Sequence, residues 1–560
     1  MSLDQVQALL CAPGQRFEIE ERVIRGVTTR VWKHAPENLR LLVQFARGHG
    51  GRLATIHEDE RVTFEAQHRA IAALAAALAA RGVGKGDRVA ICMRNLPEWV
   101  VAFFAVVSLG AIAVPLNAWW TGAELAYGLA DSEARLLVAD AERWQRIAPH
   151  RAELAGLETV LVARADAAPA GTERLEDLIG TPGDWAGLAD TPLPDTPVAA
   201  DDDATIFYTS GTTGHPKGAL GTHRNLVTNI FSGAYAGARS FLRRGEAPPE
   251  PAPKVGLLVI PLFHVTACSA SLMGAMAAGN TTIFMRRWDA LEAMRIIERE
   301  RVNVTGGVPT IAWQLIEHPE RGRFDLSSLE AISYGGAPSA PELVRRIFEE
   351  FGALPGNGWG MTETMATVTS HIAEDYLHRP DSAGPPVPVA ELQIRGADGI
   401  TVLPPGEIGE LWAKGPQIVK AYWRKPEATA ETFVDGWVRT GDLARLDEEG
   451  FLFIVDRAKD IIIRGGENIY SIEVENALYE HPAVTDAALV GIPHRTLGEE
   501  PAAVVHLAPG TSAGEAELQD WVRARLAPFK VPVRIVFSGE TLPRNANGKI
   551  LKRHLKALFA

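Results

Sequence analysis

The stretch 208–220, which reads YTSGTTGHPKGAL, combines glycines, hydroxyl side chains and one lysine, Lys217. An apolar, strand-like run, ATIFYT, leads into it, so we expect the loop to leave a strand with its backbone N–H groups free. Free amides, hydroxyls and a cation together suit the oxygens of a phosphate group. The spacing Gly211-x-x-Gly214-x-x-Lys217 differs from G-x4-G-K-[ST], which excludes the P-loop assignment. Taken alone, the loop also fits a flexible surface turn, because glycine is common in turns.

Six further motifs follow this loop along the chain. They are PLFHV at 261–265, YGGAP at 334–338, GWGMTET at 358–364, GWVRTGD at 436–442, DRAKDIIIRGGENIYS at 456–471 and PRNANGKILK at 543–552. With the loop, and in this order, they resemble the signature of the adenylate-forming enzymes. That family includes acyl-CoA synthetases, firefly luciferase and nonribosomal adenylation domains, and the chain is most similar to fatty acyl-CoA synthetases. The resemblance covers nearly all of the chain from Thr63 onward.

The resemblance implies an ATP-dependent acid–thiol ligase. A carboxylate is a poor acyl donor, because its own oxygen is a poor leaving group. Enzymes of this family convert it to an acyl-adenylate with loss of pyrophosphate, and acyl-CoA synthetases then transfer the acyl group to CoA with release of AMP. The expected partners are therefore a small carboxylic acid, ATP and CoA, and the expected metal is Mg2+. Mg2+ prefers oxygen ligands, and the resemblance gives this role to the carboxylate of Glu363.

Four residues receive catalytic roles by the resemblance. Lys549 stabilises the charge that develops between the carboxylate and the α-phosphate during adenylation. Glu363 holds the metal, and Thr362 contacts the phosphates beside it. His264 lines the acyl pocket as a wall or gate, although a buried structural histidine explains this residue equally well.

The implied nucleotide site draws on several motifs. Asp442 accepts hydrogen bonds from both ribose hydroxyls, and Arg457 joins it there. The adenine lies against the ring of Trp359, where the family more often carries tyrosine; stacking survives this change, but a hydroxyl contact does not. The expected ATP- and AMP-binding residues are Thr209, Ser210, Gly211, Thr212, Thr213, Gly214, Lys217, Gly335, Gly336, Ala337, Pro338, Trp359, Gly360, Met361, Asp442 and Arg457.

The acid is expected to be hydrophobic, because the segments that would form its pocket are small or apolar and offer no fixed charge for an amino group. The expected pocket residues are Val265, Ala267, Cys268, Gly306, Gly307, Val308 and Met365. Small residues also allow tight helix packing, so they fit either a long pocket or closely packed helices. A medium- or long-chain fatty acid is the first hypothesis. The alternatives are an aromatic or branched acid, loading of a carrier protein, luciferase-like oxidation and a non-catalytic nucleotide-binding protein.

An α/β framework is predicted to position these residues. From Thr63 to about Asp140, helices alternate with the strands RVAICM, AIAVPL and ARLLVAD, and the alternation resumes from Lys254 with VGLLVI, NTTIFM and VNVTGG. This pattern predicts two α/β layers built on largely parallel sheets. After Gly384, short β-rich runs predict a small barrel-like subdomain at about 385–456. Beyond Asp456 the pattern predicts a compact α+β unit.

Two domains follow from this change of pattern: a large N-terminal domain, 1–456, and a small mobile C-terminal domain, 457–560. By resemblance the hinge is Lys459. Rotation about it brings Lys549 to the site for the first half-reaction. The loop of Gly465 and Gly466 then takes its place along the CoA channel for the second.

Composition restricts the class of protein further. The chain has 560 residues and a net charge of -13, which disfavours nucleic acid as a partner. Its three cysteines form no CxxC pair, which fits a reducing, cytoplasmic location. No secretory signal is visible, and the apolar run 99–116 is broken by Gly110 and Pro115, so we expect a buried helix and strand there and no transmembrane segment. The sequence is compatible with either a monomer or a homodimer.

Overall fold

A computed structural model describes residues 1–209, 215–335, 341–545 and 548–559, and within them the strands form four sheets and one separate hairpin. Two eight-stranded sheets make up most of the chain, a five-stranded sheet follows them, and a second five-stranded sheet lies in the C-terminal part. The predicted fold class, two α/β layers followed by a β-rich unit and an α+β unit, is confirmed.

The first sheet is parallel except at one end, where the strand Gly218–Thr222 pairs antiparallel with both of its neighbours. Its apolar strands are buried on both faces, as expected of a parallel sheet covered by helices. In spatial order its strands are Ala421–Tyr422, Gly218–Thr222, Asp203–Tyr208, Ile112–Pro115, Arg88–Cys92, Leu136–Asp140, Thr159–Ala163 and Glu173–Arg174. The strands on either side of the phosphate loop are antiparallel, with Tyr208 opposite Gly218, and they form a hairpin next to the edge strand Ala421–Tyr422.

The second sheet carries most of the predicted pocket segments. Its central strands are parallel, with Leu258 opposite Gly306 and Gly307 opposite Tyr334, so their carboxyl ends meet at one edge. In spatial order its strands are His371–Ile372, Leu354–Asn357, Ala331–Tyr334, Val304–Gly307, Val255–Leu258, Thr281–Phe284, Leu53–His57 and Glu60–Thr63. Ligands of such sheets bind outside the carboxyl ends of the strands.

The remaining strands form smaller units. The third sheet is antiparallel and corresponds to the predicted β-rich subdomain; its strands are Glu391–Arg395, Gly409–Lys414, Trp437–Leu446, Phe433–Val434 and Leu452–Arg457. The C-terminal sheet contains Glu467–Ile469, Ile462–Arg464, Gly498–Leu507, Val484–His494 and Arg534–Ser538. Near the amino terminus, Ile19–Ile24 and Val27–Trp32 pair as a hairpin.

The helices begin and end where the sequence supplies the expected signals. Thr63 caps the long alanine-rich helix, since its Oγ1 accepts from Ala66 N at 3.1 Å, and Pro97 opens the apolar helix that follows. The α-helices are Leu3–Leu10, Leu39–Arg47, Phe64–Ala80, Pro97–Ser108, Gly122–Asp131, Ala141–Ile147, Glu176–Ile179, His223–Arg243, Met273–Ala278, Ala290–Glu300, Pro309–Glu317, Pro341–Phe351, Glu374–His378, Pro426–Thr432, Ser471–Tyr479, Glu515–Arg523 and Lys552–Lys556. A π-helix spans Thr266–Leu272, and short 3-10 helices occupy Ala148–Glu153, Trp185–Gly187, Arg321–Arg323, Thr362–Thr364, Pro528–Lys530 and Ala557–Phe559.

The densest apolar run forms the predicted helix and strand. Its helix, Pro97–Ser108, is buried along its whole length and precedes the strand Ile112–Pro115. Among the helices of the described residues, none combines the length and the hydropathy needed to cross a membrane.

Candidate active site

A cleft of about 1900 Å³ lies at the carboxyl ends of the second sheet and continues to the third sheet and the C-terminal part. Residues from all these units line it, among them Thr209, Gly307, Asp442 and Lys549. Motifs that are far apart in the sequence therefore meet in one cavity, in the position expected for a ligand of a parallel sheet.

The phosphate loop enters the cleft at its two ends. Thr209 N donates to Lys217 O at 2.8 Å, and Lys217 N donates to Thr209 Oγ1 at 3.2 Å, so the two ends are held together. The ammonium of Lys217 lies 4.8 Å from the ring centroid of Tyr422. The predicted binding residues between these ends lie outside the described residues; they are Ser210, Gly211, Thr212, Thr213 and Gly214.

Glu363 is buried at the wall of the cleft, in a 3-10 turn with the neighbouring Thr362. Its Oε1 accepts a hydrogen bond from the hydroxyl of Tyr422 at 2.5 Å, and burial together with this carboxylate raises the pKa of Tyr422. Tyr422 thus contacts Lys217 with its ring and Glu363 with its hydroxyl. None of the seven motifs includes Tyr422, and its only signal in the sequence is an aromatic pair, Tyr422-Trp423, in an otherwise polar stretch.

A magnesium ion fits the donor set at this point. The second carboxylate oxygen of Glu363 accepts no hydrogen bond from the described part of the chain, and the hydroxyl of Thr362 lines the same cleft. Within that part, no cluster of three or more His, Cys, Asp or Glu side chains could hold a metal. Mg2+ does not need such a cluster, because it is commonly bound by one or two carboxylates together with substrate phosphates.

The predicted ribose and adenine residues lie side by side. Asp442 is 2% exposed; its Oδ1 pairs with Arg457 Nε at 2.6 Å, and its Oδ2 accepts from Trp359 Nε1 at 2.8 Å. Gly335, Gly360 and Met361 line the cleft beside them. The other predicted residues of this group, Gly336, Ala337 and Pro338, lie outside the described residues.

Lys549 points into this cleft from the C-terminal part. Burial, and then the positive charges of Arg457 and Lys459, lower its pKa to about 8, while the carboxylates of Asp442 and Glu363 oppose the shift. Its backbone N–H donates to Asn545 Oδ1 at 3.0 Å. The ammonium therefore lies in the electrostatic field of the two predicted ATP-site acids, as a charge-stabilising lysine requires.

The turn that carries Lys549 is held from both sides. On one side, Arg544 donates to Gly548 O at 2.9 Å and pairs with the buried Asp486 at 2.6 Å. On the other side, a Cβ added to Gly548 would lie 2.1 Å from Val308 Cγ1. The turn approaches Val308 this closely only because residue 548 has no side chain. Val308, predicted as a pocket wall, instead contacts this turn.

His264 lines the cleft as a neutral imidazole. Burial and the nearby Lys549 lower its pKa to about 4. Its Nδ1 accepts from Thr266 N at 3.4 Å and lies 3.2 Å from Thr266 Oγ1. A neutral ring held in this way agrees with a role as a wall of the pocket.

Part of the predicted acyl wall must be corrected. Val265, Gly306 and Gly307 do line the cleft. Ala267 and Cys268 are fully buried in the hydrophobic core, because the π-helix presents Thr266, Ala270 and Ser271 to the cleft and turns the residues between them away. Met365 also belongs to the core: its left-handed backbone, with φ of 47°, directs the side chain beneath the site.

Buried polar contacts join the third sheet to the C-terminal part next to Lys459. Asp456 accepts hydrogen bonds from both the backbone N–H and the hydroxyl of Ser471, at the start of the helix Ser471–Tyr479. Lys552 donates to Ser471 Oγ at 2.6 Å and to Glu475 at 2.8 Å. These contacts hold the C-terminal part in the arrangement that brings Lys549 to the cleft.

The predicted CoA-channel glycines lie elsewhere in this arrangement. Gly465 and Gly466 form the turn between the strands Ile462–Arg464 and Glu467–Ile469, and neither is among the described residues that line the cleft. Their placement away from the cleft, with Lys549 inside it, is the arrangement expected for the first half-reaction.

Adenylation is expected to lose rate as the pH rises through about 8, the pKa of Lys549. Burial lowers this pKa, so the stabilising ammonium is present below pH 8 and is lost above it. The rate of ATP–pyrophosphate exchange, measured between about pH 6.5 and 9.5, tests this. Lys549→Arg is the control, because a guanidinium keeps its charge over this range. If the rate of Lys549→Arg falls with the same midpoint pH as that of the wild-type enzyme, the titrating group is not Lys549.

Comparison with known proteins agrees with this site. The model of the AMP-binding enzyme family matches residues 42–423, and that of the AMP-binding enzyme C-terminal domain matches residues 473–549. A feruloyl-CoA synthase from Amycolatopsis sp is 37% identical over 90% of this chain and 96% of its own length. The long-chain-fatty-acid–CoA ligase FadD13 of Mycobacterium tuberculosis is 34% identical over 90% and 94%. The structure of o-succinylbenzoate CoA synthetase from Bacillus subtilis with its acyl-adenylate intermediate has a TM-score of 0.75 and 32% identity, and covers 93% of this chain and 98% of that chain.

Proposed function

The chain belongs to the AMP-binding enzyme family as an AMP-forming carboxylic acid–CoA ligase that uses ATP, Mg2+ and CoA, and from this premise we propose that its acid is a medium- or long-chain fatty acid. The observation that carries the proposal is the extension of the cleft well beyond His264, along the strands Val255–Leu258 and Val304–Gly307 of the second sheet.

This extension, here called the acyl groove, has three walls. One is the helix His223–Arg243, with Gly233 and Ala234; the second is the π-helix and the short helix after it, with Ala270, Gly274 and Ala278. The strands of the second sheet form the third wall. Small residues occur on all three walls, among them Gly233, Gly274 and Gly306, and an extended alkyl chain would lie between them.

The depth of the groove favours a chain over a single ring. Lys254 and Leu258 both line the cleft, and the strand between them spans about 13 Å. At the far end the ammonium of Lys254 pairs with Glu330 at 2.6 Å, so its charge is already neutralised there. A hydrophobic tail that runs from the carboxyl ends of the strands to their amino ends would fill this space.

The site residues receive the following proposed roles. Lys549 stabilises the charge that develops as the carboxylate oxygen attacks the α-phosphorus and pyrophosphate leaves. Glu363 would hold Mg2+, which would neutralise phosphate charge, and Thr362 contacts the phosphates beside it. Asp442 and Arg457 bind the ribose. In the second step the sulfur of CoA attacks the acyl carbonyl and AMP leaves, so no protein nucleophile is needed.

The two half-reactions require the C-terminal part to change its position relative to the rest of the chain. We propose that Lys459 is the hinge of this movement. This residue lies between the strand Leu452–Arg457 of the third sheet and the strand Ile462–Arg464 of the C-terminal sheet. Rotation there separates Asp456 from Ser471 and withdraws Lys549 from the cleft. The turn of Gly465 and Gly466 then approaches the path of the thiol.

An aromatic acid is the second candidate. Its support is the 37% identity to a feruloyl-CoA synthase, whose named substrate is an aromatic acid.

A panel of acids tests the proposal. Fatty acids of increasing length, ferulic and benzoic acids and several amino acids are each supplied with ATP, Mg2+ and CoA, and acyl-CoA products are identified by mass spectrometry. We expect the highest kcat/KM with medium- or long-chain fatty acids. A higher value for ferulic acid would replace the fatty acid with the aromatic one, and an adenylate that accumulates without a thioester would point to another acceptor.

Gly274→Phe is expected to shorten the acids that the enzyme accepts. Gly274 lines the groove, and a Cβ added there meets no heavy atom within 4 Å, so a larger side chain enters the cavity without displacing backbone. We expect kcat/KM for a long-chain acid to fall at least roughly tenfold while that for a short acid is retained. Gly237→Phe is the matched control, because Gly237 also has open space but does not line the cleft. Equal losses for short and long acids would show that the tail does not occupy this groove.

A further inference from the structure

The indole of Trp359 joins two sides of the nucleotide site through its edge. Trp359 follows the strand Leu354–Asn357 of the second sheet, and Asp442 lies in the strand Trp437–Leu446 of the third sheet. The indole N–H of Trp359 donates to Asp442 Oδ2 at 2.8 Å. This bond connects the two sheets inside the cleft.

Among the described residues, Asp442 has one partner on each carboxylate oxygen: the Trp359 hydrogen bond on Oδ2 and an ion pair with Arg457 on Oδ1. Arg457 Nε lies 2.6 Å from Oδ1, and the side chain of Asp442 is only 4% exposed. A carboxylate offers about four lone-pair positions, so one partner on each oxygen leaves about one position on each. Two adjacent acceptor positions, one on each oxygen, match the two adjacent hydroxyls of a ribose.

Arg457 and Trp359, the two partners of the Asp442 carboxylate, differ in how firmly their side chains are held. The Arg457 side chain is 34% exposed, and it lies two residues before the proposed hinge. Trp359 is fixed by its backbone, since its N–H donates to Thr369 Oγ1 at 2.9 Å and its carbonyl accepts from Val368 N at 3.0 Å. Its ring packs against two hydrophobic clusters that both include residues of the third sheet. Trp359 is therefore the fixed reference for the carboxylate, and Arg457 the movable partner.

We propose that Trp359 is a positioning residue for ribose recognition: its indole N–H holds the Asp442 carboxylate in the orientation that accepts the ribose hydroxyls before ATP binds. The inference rests on the proposed nucleotide site and adds to the stacking role of the ring face.

The phenylalanine variant tests this role, because Trp359→Phe keeps an aromatic face and removes the N–H. Acyl-adenylate formation is measured with ATP and with 2′-deoxy-ATP. The kcat/KM for ATP divided by that for 2′-deoxy-ATP reports the contact to the ribose 2′-hydroxyl. We expect the wild-type ratio to be at least about tenfold, as for loss of a hydrogen bond to a charged group. In Trp359→Phe the ratio should fall to within about twofold of unity, mainly through a higher KM for ATP.

Trp412→Phe is the matched control. Trp412 belongs to the same sheet as Asp442, does not line the cleft, and has a buried indole N–H without a partner among the described residues. Its substitution also removes an indole N–H but should leave the nucleotide ratio unchanged. Thermal unfolding of both variants shows whether either has lost stability.

A double-mutant cycle that combines Trp359→Phe with Asp442→Asn completes the test. If Trp359 acts through Asp442, adding Trp359→Phe to Asp442→Asn should not lower the ratio further. The proposal is overturned if Trp359→Phe keeps the wild-type ratio, or if it lowers activity with both nucleotides equally, which would indicate stacking or folding alone. If the wild-type enzyme itself does not distinguish ATP from 2′-deoxy-ATP, the ribose role of Asp442 fails and the inference fails with it, while ATP-dependent thioester formation remains a separate result.

Discussion

Lys549→Ala should lower the rate of acyl-adenylate formation by roughly 100- to 1000-fold and leave thioester formation from supplied acyl-adenylate nearly unchanged. The side chain reaches the cleft from the C-terminal part, and its charge interacts with both Asp442 and Glu363. We propose that Lys549 is the cation that reaches the reacting atoms. Its removal is therefore expected to affect the step in which negative charge develops between the carboxylate and the α-phosphate.

Two assays separate these steps. ATP–pyrophosphate exchange measures the first half-reaction, and release of CoA thioester from synthetic acyl-adenylate measures the second. Lys530→Ala is a suitable control, because Lys530 also lies in the C-terminal part but pairs with Glu473 at 2.6 Å and does not line the cleft. An equal loss in both assays for Lys549→Ala would refute the division of labour between the two arrangements.

Glu363→Gln should reduce adenylation by roughly 100-fold or more at ordinary Mg2+ concentrations, with partial recovery at high Mg2+. The amide retains the size of the side chain and an oxygen that accepts the Tyr422 hydroxyl, so only the negative charge is lost. A metal bound mainly through one carboxylate and the substrate phosphates depends strongly on that charge. Exchange rates measured across a Mg2+ titration test this expectation.

Tyr422→Phe provides the complementary control. It removes the hydroxyl that donates to Glu363 at 2.5 Å but keeps the carboxylate and the ring beneath Lys217. Its Mg2+ requirement should change much less than that of Glu363→Gln. If the two variants show the same Mg2+ dependence, the hydrogen bond matters more than the charge, and Glu363 is not the metal ligand.

Much of the framework could be predicted from the sequence because its elements are locally encoded. The apolar run interrupted by Gly110 and Pro115 became the predicted helix and strand, and the alternation after Lys254 became the parallel centre of the second sheet. The amino-terminal strand Leu53–His57 gave no such signal. It joins the second sheet beside Thr281–Phe284, a pairing between distant segments that local pattern does not specify.

The site was predictable to the level of motifs but not of contacts. The motifs placed Asp442 beside Arg457, and the two are opposite each other on paired strands. The bond from Trp359 to Asp442 and that from Tyr422 to Glu363 each join separate elements, so spacing along the chain holds no information about them. Ala267 and Cys268 were misplaced for a related reason: an apolar segment beside a cavity does not reveal which of its residues face the cavity.

Two kinds of glycine in this molecule have opposite evolutionary prospects. At Gly548 every mutation adds a Cβ that meets Val308 at 2.1 Å, so the position that delivers the reactive lysine is closed to sequence drift. Gly233 and Gly274 line the acyl groove, and a Cβ added at either position meets no heavy atom within 4 Å. On the proposed function, single base changes in those two codons would vary the volume left for the acid while the turn that carries Lys549 is preserved. A lineage with this architecture can diversify its substrates by point mutation before any element of the fold has to change.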